Sequence, residues 1–225
     1  YFCVVEARLL GGVARDVRRP ARELVRVAAV ELDPAVVAAV RAAHGVRILE
    51  TSLRSATDHP LSRARPKPHD RGASEVTVVD AATYVRTAPP GSIDALLLDA
   101  YDSEGRVPAH LQAERFVRDA AAALSPGGVV VANLFDSSEV ARAESKAFGR
   151  RLRDAVGPVY ALRVVGHEAN MILLAIKRDG GPSLDAVRGR LAEAAGWGLE
   201  SAVSIDAHLL ACMRSNAETC RRFEL

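Results

Sequence analysis

The sequence predicts an α/β fold: a doubly wound, seven-stranded sheet, mostly parallel, that closes on an antiparallel C-terminal hairpin. Three observations carry this. The runs VRVAAVELD (25–33), VTVVD (76–80) and ALLLD (95–99) are nearly unbroken Val, Ala and Leu ending on a carboxylate, the pattern of parallel strands buried on both faces. Strand-like and helix-like segments alternate along the chain with Pro and Gly between them, as layered α/β folds do. Near the C-terminus two apolar runs flank the short stretch Gly166-His167-Glu168-Ala169-Asn170, the spacing of a hairpin. In an open parallel sheet the carboxyl ends of the strands line the ligand crevice. One acid at such a point merely opens a turn or caps a helix. Three at successive strand ends favour a ligand of nucleoside type, whose hydroxyls and amino groups are donors.

In chain order, residues 2–5 form a weak first strand, followed by Gly11-Gly12 and a short helical stretch that Pro20 stops. Residues 25–31 are the second strand. Asp33-Pro34 then opens a helix to about His44, with Asp33 as N-cap and Pro34 at the first helical position. Residues 51–74, rich in Pro, Arg and Ser, lack apolar periodicity. So long a structureless connection is unusual inside a compact domain, and it is expected to be a disordered surface insertion, with a basic docking loop as the alternative. Strand 76–79, helix 81–87, the turn Pro89-Pro90-Gly91 and strand 93–98 follow. A helical pattern over 110–124 breaks at Ser125-Pro126-Gly127-Gly128, and 128–133 is another buried strand. A long amphipathic helix ends at Gly157-Pro158, and strands 160–165 and 171–177 make the hairpin. The tail reads as helical over 183–195, irregular around Gly196-Trp197-Gly198, and helical again over 206–213. The expected organisation is a ligand-binding domain over 1–180 and a helical extension over 181–225 packed on it.

Bulk properties narrow the function. The 225 residues suffice for one substantial core. Thirty Lys and Arg against 28 Asp and Glu leave a net charge of +2, no basis for a specific nucleic-acid partner. Cys3, Cys212 and Cys220 are odd in number and without metal-ligand spacing, which fits a reducing, cytoplasmic compartment. No stretch is long enough to span a bilayer and the start does not resemble a signal peptide. The chain begins on Tyr1, so an upstream piece is expected to be missing.

The motifs then resemble a known family. VRVAAVELDPAVVAAV is similar to the second motif of class I S-adenosylmethionine-dependent methyltransferases, a Rossmann-like superfamily. By position Glu31 is the acid that holds both ribose hydroxyls, two acceptor oxygens matching two vicinal donors. Asp80 with Ala81, in VVDAATYV, resembles the next motif, whose acid receives the adenine amino group. DALLLDAYDSEG (94–105) resembles the aspartate-rich segment of spermidine synthases, with Asp99 and Asp102 at its two acidic positions. LQAERFVRDAAAALSPGGVVVANL resembles the following helix and strand, and Gly11-Gly12-Val13-Ala14-Arg15-Asp16-Val17 the end of the glycine-rich loop. Where the family's loop has further glycines and an acid, this chain has Ala7, Arg8, Leu9 and Leu10; bulky residues there would crowd the methionine end of the cofactor.

Asn133-Leu134-Phe135 after the fifth strand and the hairpin VVGHEANMILLAIK resemble the C-terminal, spermidine-synthase-like domain of the dual-domain elongation-factor methyltransferases. The resemblance implies S-adenosylmethionine as cofactor and methyl transfer to a protein amine, a lysine or an N-terminal amino group. The implied partner is a protein substrate such as a translation factor, with a homodimer also possible and no membrane. Asp99 and Asp102 are the implied catalytic residues; Gly11, Gly12, Glu31, Asp80, Ala81 and Asp99 the cofactor-binding ones; no metal is expected. Two alternatives stay open. A spermidine synthase-type aminopropyltransferase would act on a polyamine. An inactive methyltransferase-like interaction module would explain the altered glycine loop. Tyr101 and Asp102 are balanced between a substrate rim and a solvated turn before Ser103-Glu104-Gly105. His110 reads as the start of a helix, His167 as a turn residue, and His59 and His69 as members of the insertion; Trp197 reads as a packing residue.

Overall fold

A computed structural model describes residues 4–9, 25–44, 48–51, 53, 59–62, 74–135, 138–163, 169–178, 181–189 and 220–222. The fold is mixed α/β, with both parallel and antiparallel strand pairs, and divides into two compact units, Tyr1–Val130 and Val131–Leu225.

In the first unit the strands are β1 (Val4–Leu9), β2 (Val25–Glu31), β3 (Ile48–Thr51), β4 (Ser74–Val78) and β5 (Ile93–Leu98), in the order β3-β4-β2-β1-β5. β2 and β3 each pair parallel with β4, with Glu31 opposite Val78. Ala28, Val30, Val76, Ile93, Leu96 and Leu98 are buried here, while Val27 and Leu97 are 49% and 36% exposed, so β2 and β5 are not buried on both faces as their unbroken apolar runs predict. The helices are α1 (Pro34–His44), α2 (Ala81–Thr87), α3 (Ala109–Gln112) and α4 (Glu114–Ala123). Asp33 opens α1 as expected, its Oδ1 accepting from the Ala35 N–H at 2.8 Å. Tyr84 and Val85 of α2 and Phe116, Val117, Ala120 and Ala123 of α4 are buried.

Several expectations are corrected. β1 runs antiparallel to both of its neighbours, with Val4 opposite Val30 and Leu98. It extends through Ala7, Arg8 and Leu9, where the family's loop has glycines; with ordinary side chains in place of glycine, the backbone continues as strand. Gly11 and Gly12 lie outside the described residues. A short parallel strand, β3, precedes the basic stretch and was not predicted. The helix expected over 110–124 is interrupted at Ala113, which takes an extended backbone (φ −66°, ψ 153°) between α3 and α4.

Part of the predicted insertion is ordered. Residues 60–62 form a 3-10 turn, and His59 is fully buried. Its ring packs on Tyr84 with centroids 4.3 Å apart and planes 50° from parallel. The Leu61 N–H donates to Nδ1 at 3.2 Å, so Nε2 carries the proton and donates to the Tyr84 carbonyl at 3.1 Å. His59→Ala is expected to cost about 3 kcal/mol, as for other buried rings, because the ring contact goes and Leu61 loses its acceptor. Chemical denaturation checks this; a loss below about 0.5 kcal/mol, the surface-substitution range, would mean the ring anchors nothing.

β6 (Leu124–Phe135) starts in the first unit and ends in the second. In the first unit a Cβ on Gly128 would lie 2.9 Å from the Ser125 carbonyl oxygen and 3.1 Å from that of Ile93, so the backbone approach there excludes any larger residue. The second unit contains α5 (Glu139–Ala155), β7 (Val159–Arg163), β8 (Asn170–Ile176) and β9 (Arg221–Arg222). Ser138 caps α5 through the Ala141 N–H. β7 and β8 form the predicted antiparallel pair, and β9 adds to β7. The expectation of seven mostly parallel strands is not met: β3 and β9 bring the strands among the described residues to nine, and β1, β7, β8 and β9 pair antiparallel. Residues 184–189 are helical, and Val187 joins Tyr160 and Cys220 in a small core. No helix among the described residues is long and apolar enough to cross a membrane.

Candidate active site

A cavity of about 290 Å³ opens at the carboxyl ends of β2, β4 and β5 in the first unit. It is near the lower bound of small-molecule sites, ~300–1,000 Å³. The end of β2 contributes Val30, Glu31 and Leu32; the turn into α2 contributes Val79, Asp80 and Ala81; the segment after β5 contributes Ala100, Tyr101, Asp102 and Ser103; Pro108, His110 and Leu111 complete it.

Glu31 is only 4% exposed. Its Oε1 accepts from the Asp33 N–H at 2.9 Å, while the buried Oε2 has no hydrogen-bond partner among the described residues. A buried carboxylate oxygen without a donor is costly, about 1–3 kcal/mol or more, and rare in folded proteins. A hydroxyl or amine donor in the cavity would satisfy it. Leu32, the next residue, is 66% exposed, and with Val79 and Leu111 it gives the cavity apolar walls.

Asp80 sits at the N-terminus of α2. Its Oδ2 accepts from the Thr83 N–H at 3.0 Å, and its Oδ1 lies 2.8 Å from His110 Nε2. His110 was read as a helix start; it is also Asp80's partner at the cavity. No sequence signal joins residues 30 positions apart, so only the fold brings the pair together.

Asp99, just past β5, hydrogen-bonds the Tyr101 hydroxyl. Burial, and secondly the Asp99 charge and hydrogen bond, push the Tyr101 phenol above its ordinary value, so it remains a donor. Asp102 serves the following turn: its Oδ1 accepts from the Glu104 and Arg106 N–H groups at 2.9 and 3.0 Å, and its own N–H donates to the Arg106 carbonyl. Those donors, the Arg106 N–H foremost, lower its carboxyl below the usual range. Gly105 closes the turn with φ at +75°. Asp102 therefore holds the turn through Ser103-Glu104-Gly105 and also lines the cavity.

The structure brings Glu31, Asp80, Ala81 and Asp102 to one cavity, with Asp99 attached through Tyr101. Asn133 is elsewhere engaged, accepting from Asn170 Nδ2 at 3.1 Å in the second unit.

No family model matches the chain. Over 119 residues it is 34% identical to the polyamine aminopropyltransferase of Mycobacterium tuberculosis (strain ATCC 25618 / H37Rv), covering 49% of this chain and 20% of that one. Over 99 residues it is 30% identical to the polyamine aminopropyltransferase of Vibrio vulnificus (strain CMCP6), covering 43% and 31%. Among solved structures, a probable spermidine synthase from Corynebacterium glutamicum ATCC 13032 superposes with a TM-score of 0.53 at 18% identity, covering 84% of this chain and 61% of that one. A spermidine synthase in complex with the transition-state analogue AdoDATO gives 0.54 at 17%, covering 84% and 57%. The fold is spermidine-synthase-like.

The aligned stretches span less than a third of the curated relatives' length. Even so, they overturn the reading as a methyltransferase acting on a protein amine. The relatives in sequence and in fold carry polyamine names, and the aminopropyltransferase alternative is the one they support.

Proposed function

We propose that this chain is the nucleoside-binding part of an aminopropyltransferase, which moves an aminopropyl group from decarboxylated S-adenosylmethionine to a di- or polyamine. The observation that carries the reading is Glu31: a buried carboxylate, one oxygen of which has no hydrogen-bond partner among the described residues, at a strand end, in a cavity shared with Asp80 and with Tyr101 and Asp102. The names of the relatives supply the reaction class.

In this reading Glu31 Oε2 accepts from the ribose hydroxyls and Asp80 from the amino group of the adenine, which lies against Leu32, Val79 and Leu111. The sulfonium activates the propyl carbon, so that carbon–sulfur cleavage accompanies attack by a neutral amine. Asp99 and Asp102 hold that amine in line with the reacting carbon, which converts an encounter into an oriented displacement. Asp99 then takes the proton that the new ammonium sheds, or passes it to solvent. Tyr101 keeps Asp99 in place by donating to it.

The test is a product assay with putrescine and decarboxylated S-adenosylmethionine. Spermidine and 5′-methylthioadenosine are expected in equal amounts, with no transfer from S-adenosylmethionine itself. A second reading, a silent interaction module, is favoured by one observation: β1 runs as strand through the positions of the glycine loop. A folded protein that binds no 5′-methylthioadenosine and forms no product would establish the second reading and end the first.

A further inference from the structure

The contact between His110 and Asp80 gives the cavity a property that the acids alone do not. A carboxylate oxygen has no proton to give, so at 2.8 Å His110 Nε2 must be the donor and Asp80 Oδ1 the acceptor. The other oxygen is held by the Thr83 N–H at 3.0 Å. Asp80 is thus gripped by one donor from α2 and one from α3, both oxygens fixed and both kept as acceptors. The Asp80 side chain is 33% exposed and that of His110 53%, and both line the cavity. A carboxylate that is only capping a helix needs the first donor and not the second.

We propose that His110 is a positioning residue that makes Asp80 select an amino-bearing base over an oxo-bearing one. The assignment rests on the nucleoside reading of the cavity. The His110 and Thr83 donors hold the carboxylate in one rotamer, so the group presented to the base offers lone pairs in a fixed direction. The exocyclic amino group of adenine donates to it. The oxo group of hypoxanthine offers another acceptor and is repelled. Without His110, Oδ1 loses the donor that fixes it, and the carboxylate is free to rotate out of line with the amino group.

The experiment is calorimetric titration with 5′-methylthioadenosine and 5′-methylthioinosine, which differ in the exocyclic group and in the proton that the oxo base carries on N1, on wild type, His110→Ala and His110→Gln. Thermal denaturation shows that each variant is folded. Wild type is expected to prefer the amino compound by more than about tenfold, or ~1.4 kcal/mol. His110→Ala should bring the two affinities within about threefold, chiefly by weakening the amino compound. His110→Gln, whose amide N–H reaches where Nε2 does, should restore the preference. Unchanged selectivity in His110→Ala would overturn the assignment, and so would tighter binding of the amino compound, which would make His110 a competitor for Oδ1. If wild type binds neither compound, the nucleoside reading itself fails and takes this one with it, a result distinct from binding without selectivity.

Discussion

Glu31→Gln is expected to weaken 5′-methylthioadenosine binding about 100-fold while leaving the unliganded protein as stable as wild type. The binding loss follows from what the change does to one atom. Oε1 can still accept from the Asp33 N–H, so the local turn survives. The second position, buried and without a partner among the described residues, changes from an acceptor to an amide donor. It then faces ribose hydroxyls whose other good arrangement is lost. Hydrogen bonds to a charged acceptor contribute about 1.5–3 kcal/mol each, so losing the shared grip on a diol accounts for two decades in affinity. Stability should not fall, because that oxygen makes no hydrogen bond to any of the described residues that the substitution could break. A chemical partner for the mutation separates ribose recognition from general damage: the 2′-deoxy analogue should bind wild type more weakly, yet lose little more on Glu31→Gln. Calorimetry across the four combinations measures the coupling. Losses that simply add would show that Glu31 does not touch the ribose.

Glu31 also illustrates what was legible in advance. Its place follows from two local facts, an apolar strand-forming run and an acid at the carboxyl end, and both are written in consecutive residues. The same logic located Asp80, and Asp33 announced itself as a cap by preceding a proline. Other features depend on pairs that no local pattern encodes. His110 meets Asp80 only because α3 packs beside the start of α2. His59 anchors a stretch that is otherwise Pro- and Arg-rich, and a single buried ring generates no periodicity to detect. β3 is four residues long, too short for its apolar pattern to rise above the basic stretch that follows. The direction of β1 was misjudged for another reason. Its sequence has strand propensity, but propensity says nothing of polarity, and an antiparallel neighbour needs no crossover helix. The reaction class was misjudged from the NLF segment and the C-terminal hairpin, neither of which contains the acids proposed to meet the substrate.

Asp99→Asn is expected to lower kcat by about 100- to 10,000-fold, the range for removing a positioned proton acceptor, with the affinity for 5′-methylthioadenosine nearly unchanged. The separation is expected because Asp99 acts on the incoming amine, whereas Glu31 and Asp80 act on the nucleoside. Tyr101→Phe should reduce kcat by only about tenfold, about 1.4 kcal/mol, since it removes the donor that orients Asp99 and leaves the acid itself in place. The Asp99–Tyr101 link can be read without turnover. Burial is the largest cause of the raised Tyr101 phenol, and the Asp99 charge and hydrogen bond add to it. In Asp99→Asn the phenol should therefore titrate at lower pH than in wild type, yet still above an exposed tyrosine, because burial remains. The sign for stability follows: a folded-state value raised above the unfolded one, near 10, stabilises fully below about pH 10 and progressively less as the pH rises. Asp99→Asn should weaken that alkaline dependence, visible in thermal denaturation across the alkaline range. Turnover within about threefold of wild type, with the tyrosine titration shifted as described, would leave Asp99 as the anchor of Tyr101 and transfer the work of holding the amine to Asp102.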